Sequence, residues 1–160
     1  MKQSTRLFIF ITLSVLNAPM VSAASDNTRI MRYFPDGRDI VCFNGTNRYT
    51  RALYGTHSRF RVETSDRPIF AVYDGAKSYN FRFWLEYEGR KARLDSTSWC
   101  EARYQGGRRT YLVKDDSWGE GQLAIYVMAS FFGEGALWQF VPGGFKGKVT
   151  LHVRRCHTSA

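Results

Sequence analysis

The chain has 160 residues, 44% hydrophobic and 16% aromatic, with 23 Lys and Arg against 14 Asp and Glu, a formal net charge of +9. That length fits one domain able to bury about two thirds of its unfolded surface, and the aromatic share supplies a core without demanding disulfides. Three widely spaced cysteines exclude a CxxC metal motif, and the excess of arginine over lysine favours carboxylate or phosphate partners, which a planar guanidinium grips in bidentate fashion.

Residues 1–23 have the features of a secretory signal peptide. Lys2 and Arg6 form a basic start, Leu7 to Leu16 is apolar, and Val21-Ser22-Ala23 is a small-residue cleavage site. The apolar run is too short to span a bilayer, so no membrane span is expected. Cleavage leaves residues 24–160 as a single soluble domain, periplasmic or secreted. Export decides against nucleic acid as the partner of the basic surface. In an oxidising compartment Cys42, Cys100 and Cys156 allow one bridge in three pairings, or remain as buried thiols that pack as small apolar residues.

From Tyr33 to Gly37 the placement of Pro and Gly predicts a turn. Asp39 to Phe43 reads as a strand turned by Asn44-Gly45 into Arg48 to Leu53, Asn-Gly between apolar-rich runs being a strong hairpin signal. Asn44-Gly45-Thr46 also matches a glycosylation acceptor and is read as turn chemistry first. Arg59 to Thr64 and Ile69 to Tyr73 are the next strands. Asn80 to Tyr87 alternates, with Phe81, Phe83, Leu85 and Tyr87 on one face and Arg82, Trp84 and Glu86 on the other, the mark of an antiparallel sheet wet on one side. Glu88-Gly89 turns it into Arg90 to Leu94.

Trp99 to Tyr104 and Arg108 to Val113 form another hairpin around Gln105-Gly106-Gly107. Leu123 to Phe132 is an apolar run that the flanking glycines mark as a strand. Leu137 to Val141 and Lys146 to Arg154 complete the set. No sustained helical period appears, and about ten short strands separated by regular turn signals predict an all-β, antiparallel two-sheet β-sandwich with little helix.

The most distinctive stretch is Asn44 to Pro68, with five arginines (Arg48, Arg51, Arg59, Arg61, Arg67) and a polar loop carrying His57. Binding chemistry favours loops held on a rigid sheet, so Arg51, His57 and Arg59 are candidate substrate-binding residues. The bland alternative is that these arginines solvate an outward strand face. Trp118, in a Gly-rich acidic loop, is a candidate stacking platform for a sugar ring, the alternative being a lid folded back on the sandwich end. Trp84, standing among charges, is either a second such platform or packed under another layer.

Catalytic motifs are few. No GxSxG elbow is present, and Gly143 to Lys148 lacks the spacer and the hydroxyl residue of a phosphate loop. His152, Cys156 and His157 cluster without zinc-type spacing, so neither a metal nor a cofactor is expected. A glycosidase needs two carboxyl groups across a cleft, for which Asp115, Asp116, Glu120 and Glu134 are the loop candidates.

The runs Arg32 to Gly37, Asn44-Gly45 with Asn47-Arg48-Tyr49, Arg51-Ala52-Leu53-Tyr54-Gly55 and Phe60 to Pro68 resemble the N-terminal β-domain of a large secreted Bacteroidetes family, the domain-of-unknown-function family 4450. Its members are similar to six-hairpin glycosidase-type proteins of polysaccharide utilisation. The resemblance covers nearly all of residues 24–160. It implies a carbohydrate partner, an acidic glycan being suggested by the arginines, and acid and base residues in a further C-terminal helical domain that this sequence does not include. The expectation is therefore a non-catalytic, exported β-sandwich that supports or contacts glycan. The alternatives are a small glycan-cleaving enzyme using Asp116, Glu120 or Glu134, and a truncated structural domain whose former interface lies exposed.

Overall fold

The computed structural model describes residues 32–55, 58–75 and 77–157. The signal-peptide reading and His57 lie outside the described residues. Twelve strands follow in order: β1 (Phe34–Asp36), β2 (Asp39–Phe43), β3 (Tyr49–Leu53), β4 (Arg61–Ser65), β5 (Ile69–Tyr73), β6 (Ser78–Tyr87), β7 (Arg90–Arg93), β8 (Trp99–Gln105), β9 (Arg108–Lys114), β10 (Gln122–Ala129), β11 (Ala136–Gly143) and β12 (Val149–His157). Single 3-10 turns at Leu94–Ser96 and Asp116–Trp118 are the only helical elements among the described residues.

The strands form two antiparallel sheets. The first has the order β1-β2-β8-β9-β10-β11; the second has β12-β6-β5-β4-β3, with β7 also paired to β6. Strands β5 and β7 share one side of β6, along Ser78 to Arg82 and Trp84 to Tyr87 respectively, while β12 lies along Tyr79 to Tyr87 on the other. The expected fold class is the observed one.

Alternation explains how these segments come to be strands. In β6, Phe83, Leu85 and Tyr87 are buried, and in β10 so are Leu123, Ile125 and Val127, with more exposed residues between them. Each sheet thus has an apolar face, and the two faces close on a shared core. Phe70 on β5 sits at its centre, edge-on to Phe83 (5.7 Å), Tyr111 (5.7 Å) and Trp138 (5.9 Å). Such tilted aromatic pairs add to the energy of burial itself. At the β6–β7 turn Glu88 and Gly89 take φ 48° and 73°, the double left-handed conformation that matches the twist of a tight hairpin.

Two boundaries and one connection differ from expectation. Asn44-Gly45 does not close a hairpin: β2 pairs with β1 and β8 in the first sheet and β3 with β4 in the second, so this link carries the chain from one layer to the other. Phe34–Asp36, read as turn, is a short strand because Pro35 pairs at a sheet edge, opposite Ile40, where its missing N–H costs no ladder bond. The apolar run expected to end at Phe132 leaves the sheet after Ala129. There the Ser130 N–H bonds the Gly135 carbonyl (2.8 Å) and closes the loop, leaving Phe131 and Phe132 outside.

One polar node lies inside. Asp66, in the β4–β5 turn, is 0% exposed and pairs with Arg109 of β9 (3.2 Å), itself 1% exposed. The Asp66 carboxylate also accepts from the Tyr33 hydroxyl (2.8 and 2.9 Å) and from the Thr50 hydroxyl (2.9 Å). Arg109 and the Tyr111 hydroxyl both donate to the Ser65 carbonyl, at 3.2 and 2.6 Å. Gly45 completes the packing, since a Cβ there would overlap the Asp66 side chain and the Cys42 sulfur. Glycine is thus required at position 45 by close approach.

The three cysteines are free thiols, Cys42 and Cys100 fully buried and Cys156 half-buried. Burial pushes the Cys100 thiol up to about 12 from the ordinary 9.0, and burial followed by the Asp66 charge raises Cys42. The folded chain therefore holds protons that the unfolded chain releases above pH 9 or so. This contribution to stability is complete below that value and is lost as pH rises toward 12. Thiol titration of native protein at neutral pH should find Cys156 reactive and Cys42 and Cys100 protected until the chain is unfolded. In chemical denaturation Asp66→Ala should cost about 3–5 kcal/mol by stranding Arg109 without its partner, and Asp66→Leu combined with Arg109→Met should recover part of that loss.

Candidate functional site

The arginines of the Asn44 to Pro68 stretch divide between internal and external work. Arg51 on β3 is half-buried, its guanidinium 5.5 Å from the ring centres of both Tyr33 and Tyr104, and it donates to the Thr50 carbonyl at 2.7 Å. Arg67 donates to the carbonyls of Gly45 (3.0 Å) and Thr97 (2.8 Å), and so ties the β2–β3 link to the segment before β8. Arg61 pairs with Glu63 (2.9 Å) and lies 4.0 Å over the Tyr73 ring. Arg48 and Arg59 are exposed and form no ion pair among the described residues. Arg51 therefore braces the fold, and Arg59 is the member of the candidate set that faces solvent.

Trp118 is 2% exposed. Its ring packs on Phe145 (5.7 Å), which packs in turn on Tyr87 (5.0 Å). The indole is a wall under the end of the sandwich and leaves no open ring face for a sugar. Asp115 starts the turn beneath it, accepting from the Ser117 N–H (3.1 Å) and hydroxyl (2.6 Å). A cavity of about 310 Å³ opens at this end between Tyr87, Glu88, Trp118, Glu120 and Lys146, with both carboxylates exposed.

Of the carboxylate candidates, Glu134 stands apart from the others. Glu120 precedes β10 and exposed Glu134 follows it, so the eight-residue strand separates them by about 25 Å at ~3.4 Å per residue. Glycosidase pairs stand about 5 to 10 Å apart across their cleft. Asp116 is exposed at the Glu120 end. Among the described residues no group of three His, Cys, Asp or Glu is placed to hold a metal ion, and His152 is engaged with Glu86 (2.7 Å).

The arrangement best suited to a ligand is the outer face of the second sheet. Because β6 alternates, Trp84 points away from the core, half-buried, and the register sets His152 of β12 opposite it on one side and Arg93 of β7 on the other. Arg82, two residues along, faces Arg154, and Glu86 faces Thr150 and Lys91. The Lys91 ammonium lies 5.8 Å from the Trp84 ring centre, and Arg93 is oriented by Asp95 (2.6 and 3.0 Å). Trp84, Lys91, His152 and Arg154 border a depression of about 500 Å³. Arg82, Lys91 and Arg154 form no ion pair among the described residues. An indole ringed by unpaired cations can stack on a flat, partly apolar ligand while the cations take its anionic substituents.

Alternation already sets Trp84 outside in the sequence. What the sequence withholds is which strands flank it, because β12 lies far along the chain and its cations join Trp84 only through the β6–β12 register. Comparison of the chain with protein-family models, with curated proteins and with solved structures finds no match.

The two indoles should behave differently. Trp118→Ala should cost about 3–5 kcal/mol in denaturant titrations, the range for deleting a buried large aromatic. Trp84→Ala should cost well under half of that, and of these two indoles only Trp84 should be quenched readily by iodide, read as the difference between wild type and each alanine variant.

Proposed function

We propose that the chain is a non-catalytic, exported β-sandwich that holds an acidic glycan across the outer face of its second sheet. The observation that carries the reading is the cross-strand row at Trp84, one half-exposed indole with Arg82, Lys91 and Arg154 around it and no acid paired to those three among the described residues. A pyranose ring offers axial C–H groups to an aromatic face, and a uronic carboxylate or a sulfate offers the oxygens a guanidinium binds in pairs. The resemblance to the polysaccharide-utilisation family supports a carbohydrate partner, and a periplasmic or secreted location belongs to the same reading. Separation of Glu120 from Glu134 by the length of β10 weighs against the glycan-cleaving alternative. No helix among the described residues is long and apolar enough to cross a membrane.

The test is calorimetric titration of the folded protein with uronic-acid polysaccharides, a neutral glucan and a single-stranded nucleic acid. Binding is expected for the uronic polymers, weakening as salt is raised because the cations are exposed. Trp84→Ala and Arg154→Ala should each weaken it by about ten-fold, close to 1.4 kcal/mol, while Arg48→Ala leaves it unchanged. Flat titrations with every acidic glycan would remove the proposal. Equal binding of nucleic acid would reduce it to unspecific charge attraction.

A further inference from the structure

The opposite surface poses a different problem. Strands β10 and β11, Gln122 to Gly143 with their loop, contain one charged residue, Glu134. On the outward side of this hairpin Met128 faces Leu137, Tyr126 faces Gln139 and Ala124 faces Val141, and Leu112 of β9 continues the row beside Ala124. Leu137 and Val141 are 54% and 44% exposed, on a strand that forms the edge of its sheet. The loop then lifts Phe131 and Phe132 into solvent, at 77% and 98% exposure, their rings packed edge to face at 5.6 Å. Against them lies a recess of about 500 Å³, floored by Met128, Ala129, Ala136 and Leu137 and bounded by Phe131 and Phe132 themselves. The base of this knob is fixed, since Ser130 bonds Gly135 and its carbonyl lies where a Cβ on Gly55 would sit. Contiguous apolar surface of this kind on a folded domain marks an interaction site.

We infer that the β10–β11 face is the interface between two copies of this chain, each seating its Phe131–Phe132 knob against the recess of the other. Charge selects this occupant. Residues 24–160 carry 21 Lys and Arg against 14 Asp and Glu, so two copies repel wherever cations meet, and the uncharged hairpin is the surface on which they approach without that penalty. The charges beside the strip are of both signs: Glu134 in the loop, with Arg108 facing Met128 and Lys114 facing Gln122 across the β9–β10 ladder. A two-fold operation pairs such a set crosswise, and it satisfies knob and recess at once because both lie on one patch. An anionic bilayer fits less well, because the charge carried by the loop beside the phenylalanines is an acid. The glycan reading plays no part in this inference, the Trp84 face being on the other sheet.

Sedimentation velocity on the whole protein over a dilution series tests it. The expected result is a dimer that dissociates on dilution, and a monomer at all concentrations for Phe132→Ser and for Leu137→Lys. Both substitutions fall on exposed side chains, so thermal melts should confirm that the variants fold, and Trp84→Ala should remain dimeric. A wild-type monomer at about 100 μM, a hundred-fold above a micromolar dissociation constant, would overturn the inference. So would open-ended assembly in place of a closed dimer, or a monomer that pellets with anionic phospholipid vesicles.

Discussion

The buried Arg109–Asp66 pair holds the two layers in one alignment. Arg109 belongs to the first sheet and Asp66 to a turn of the second, so the pair spans the core, where an unpartnered charge is very costly. An apolar core alone tolerates sliding between sheets, since one methyl contact replaces another. A guanidinium that must meet one carboxylate does not slide. Tyr33, Thr50, Ser65 and Tyr111 share in the same node, which brings the segment before β1, strand β3, the end of β4 and strand β9 to one point. The Asn44-Gly45 turn is shaped by it too, because Gly45 packs directly on Asp66.

Around that node the cations take two kinds of work. Arg51, Arg67 and Arg109 spend their donors on backbone carbonyls, tyrosine rings and Asp66, and they stiffen the fold. Arg103 gathers Asp36, Asp39 and Glu101 and fastens β1 and β2 to β8. Arg82, Lys91 and Arg154 instead line the outer face of the second sheet around Trp84. The third layer of this economy is the β10–β11 hairpin, which carries almost no charge. Three surfaces of different chemistry therefore sit on one small scaffold.

Much of this was legible from residue order, and the exceptions have physical causes. Period-two alternation identified β6 and its inward Phe81, Phe83, Leu85 and Tyr87, and Glu88-Gly89 marked the β6–β7 hairpin, because these signals are local. Asn44-Gly45 misled, because the strands on its two sides find their partners far along the chain, in different sheets. The role of Arg51 was not legible, and for Trp118 the sequence left sugar platform and sandwich-end lid both open, of which the structure shows the lid. Arg51 is set between Tyr33 and Tyr104, which come from other strands, and Trp118 is roofed by Phe145 from beyond β11. A side chain's exposure in a sandwich is decided by partners far away in sequence, so a residue that looks displayed on a loop can be a brick. The β10 boundary was missed for a related reason, since Phe131 and Phe132 continue an apolar run whose ladder had already ended at Ala129.

The path of the chain through the layers has a kinetic consequence. β1 and β2 enter the first sheet, β3 to β7 build the second, β8 to β11 return to the first, and β12 closes the second. Neither sheet can be finished from one contiguous run, because Val41 waits for Arg103 and Leu85 waits for Leu151. Contacts that span so much chain pay loop-closure entropy before they return any stability, which places such a topology among slow folders. Until β12 arrives, the flank of β6 it will cover stands open, an unpaired ladder beside Phe81 and Phe83, and during that interval the chain is most exposed to mispairing with its neighbours.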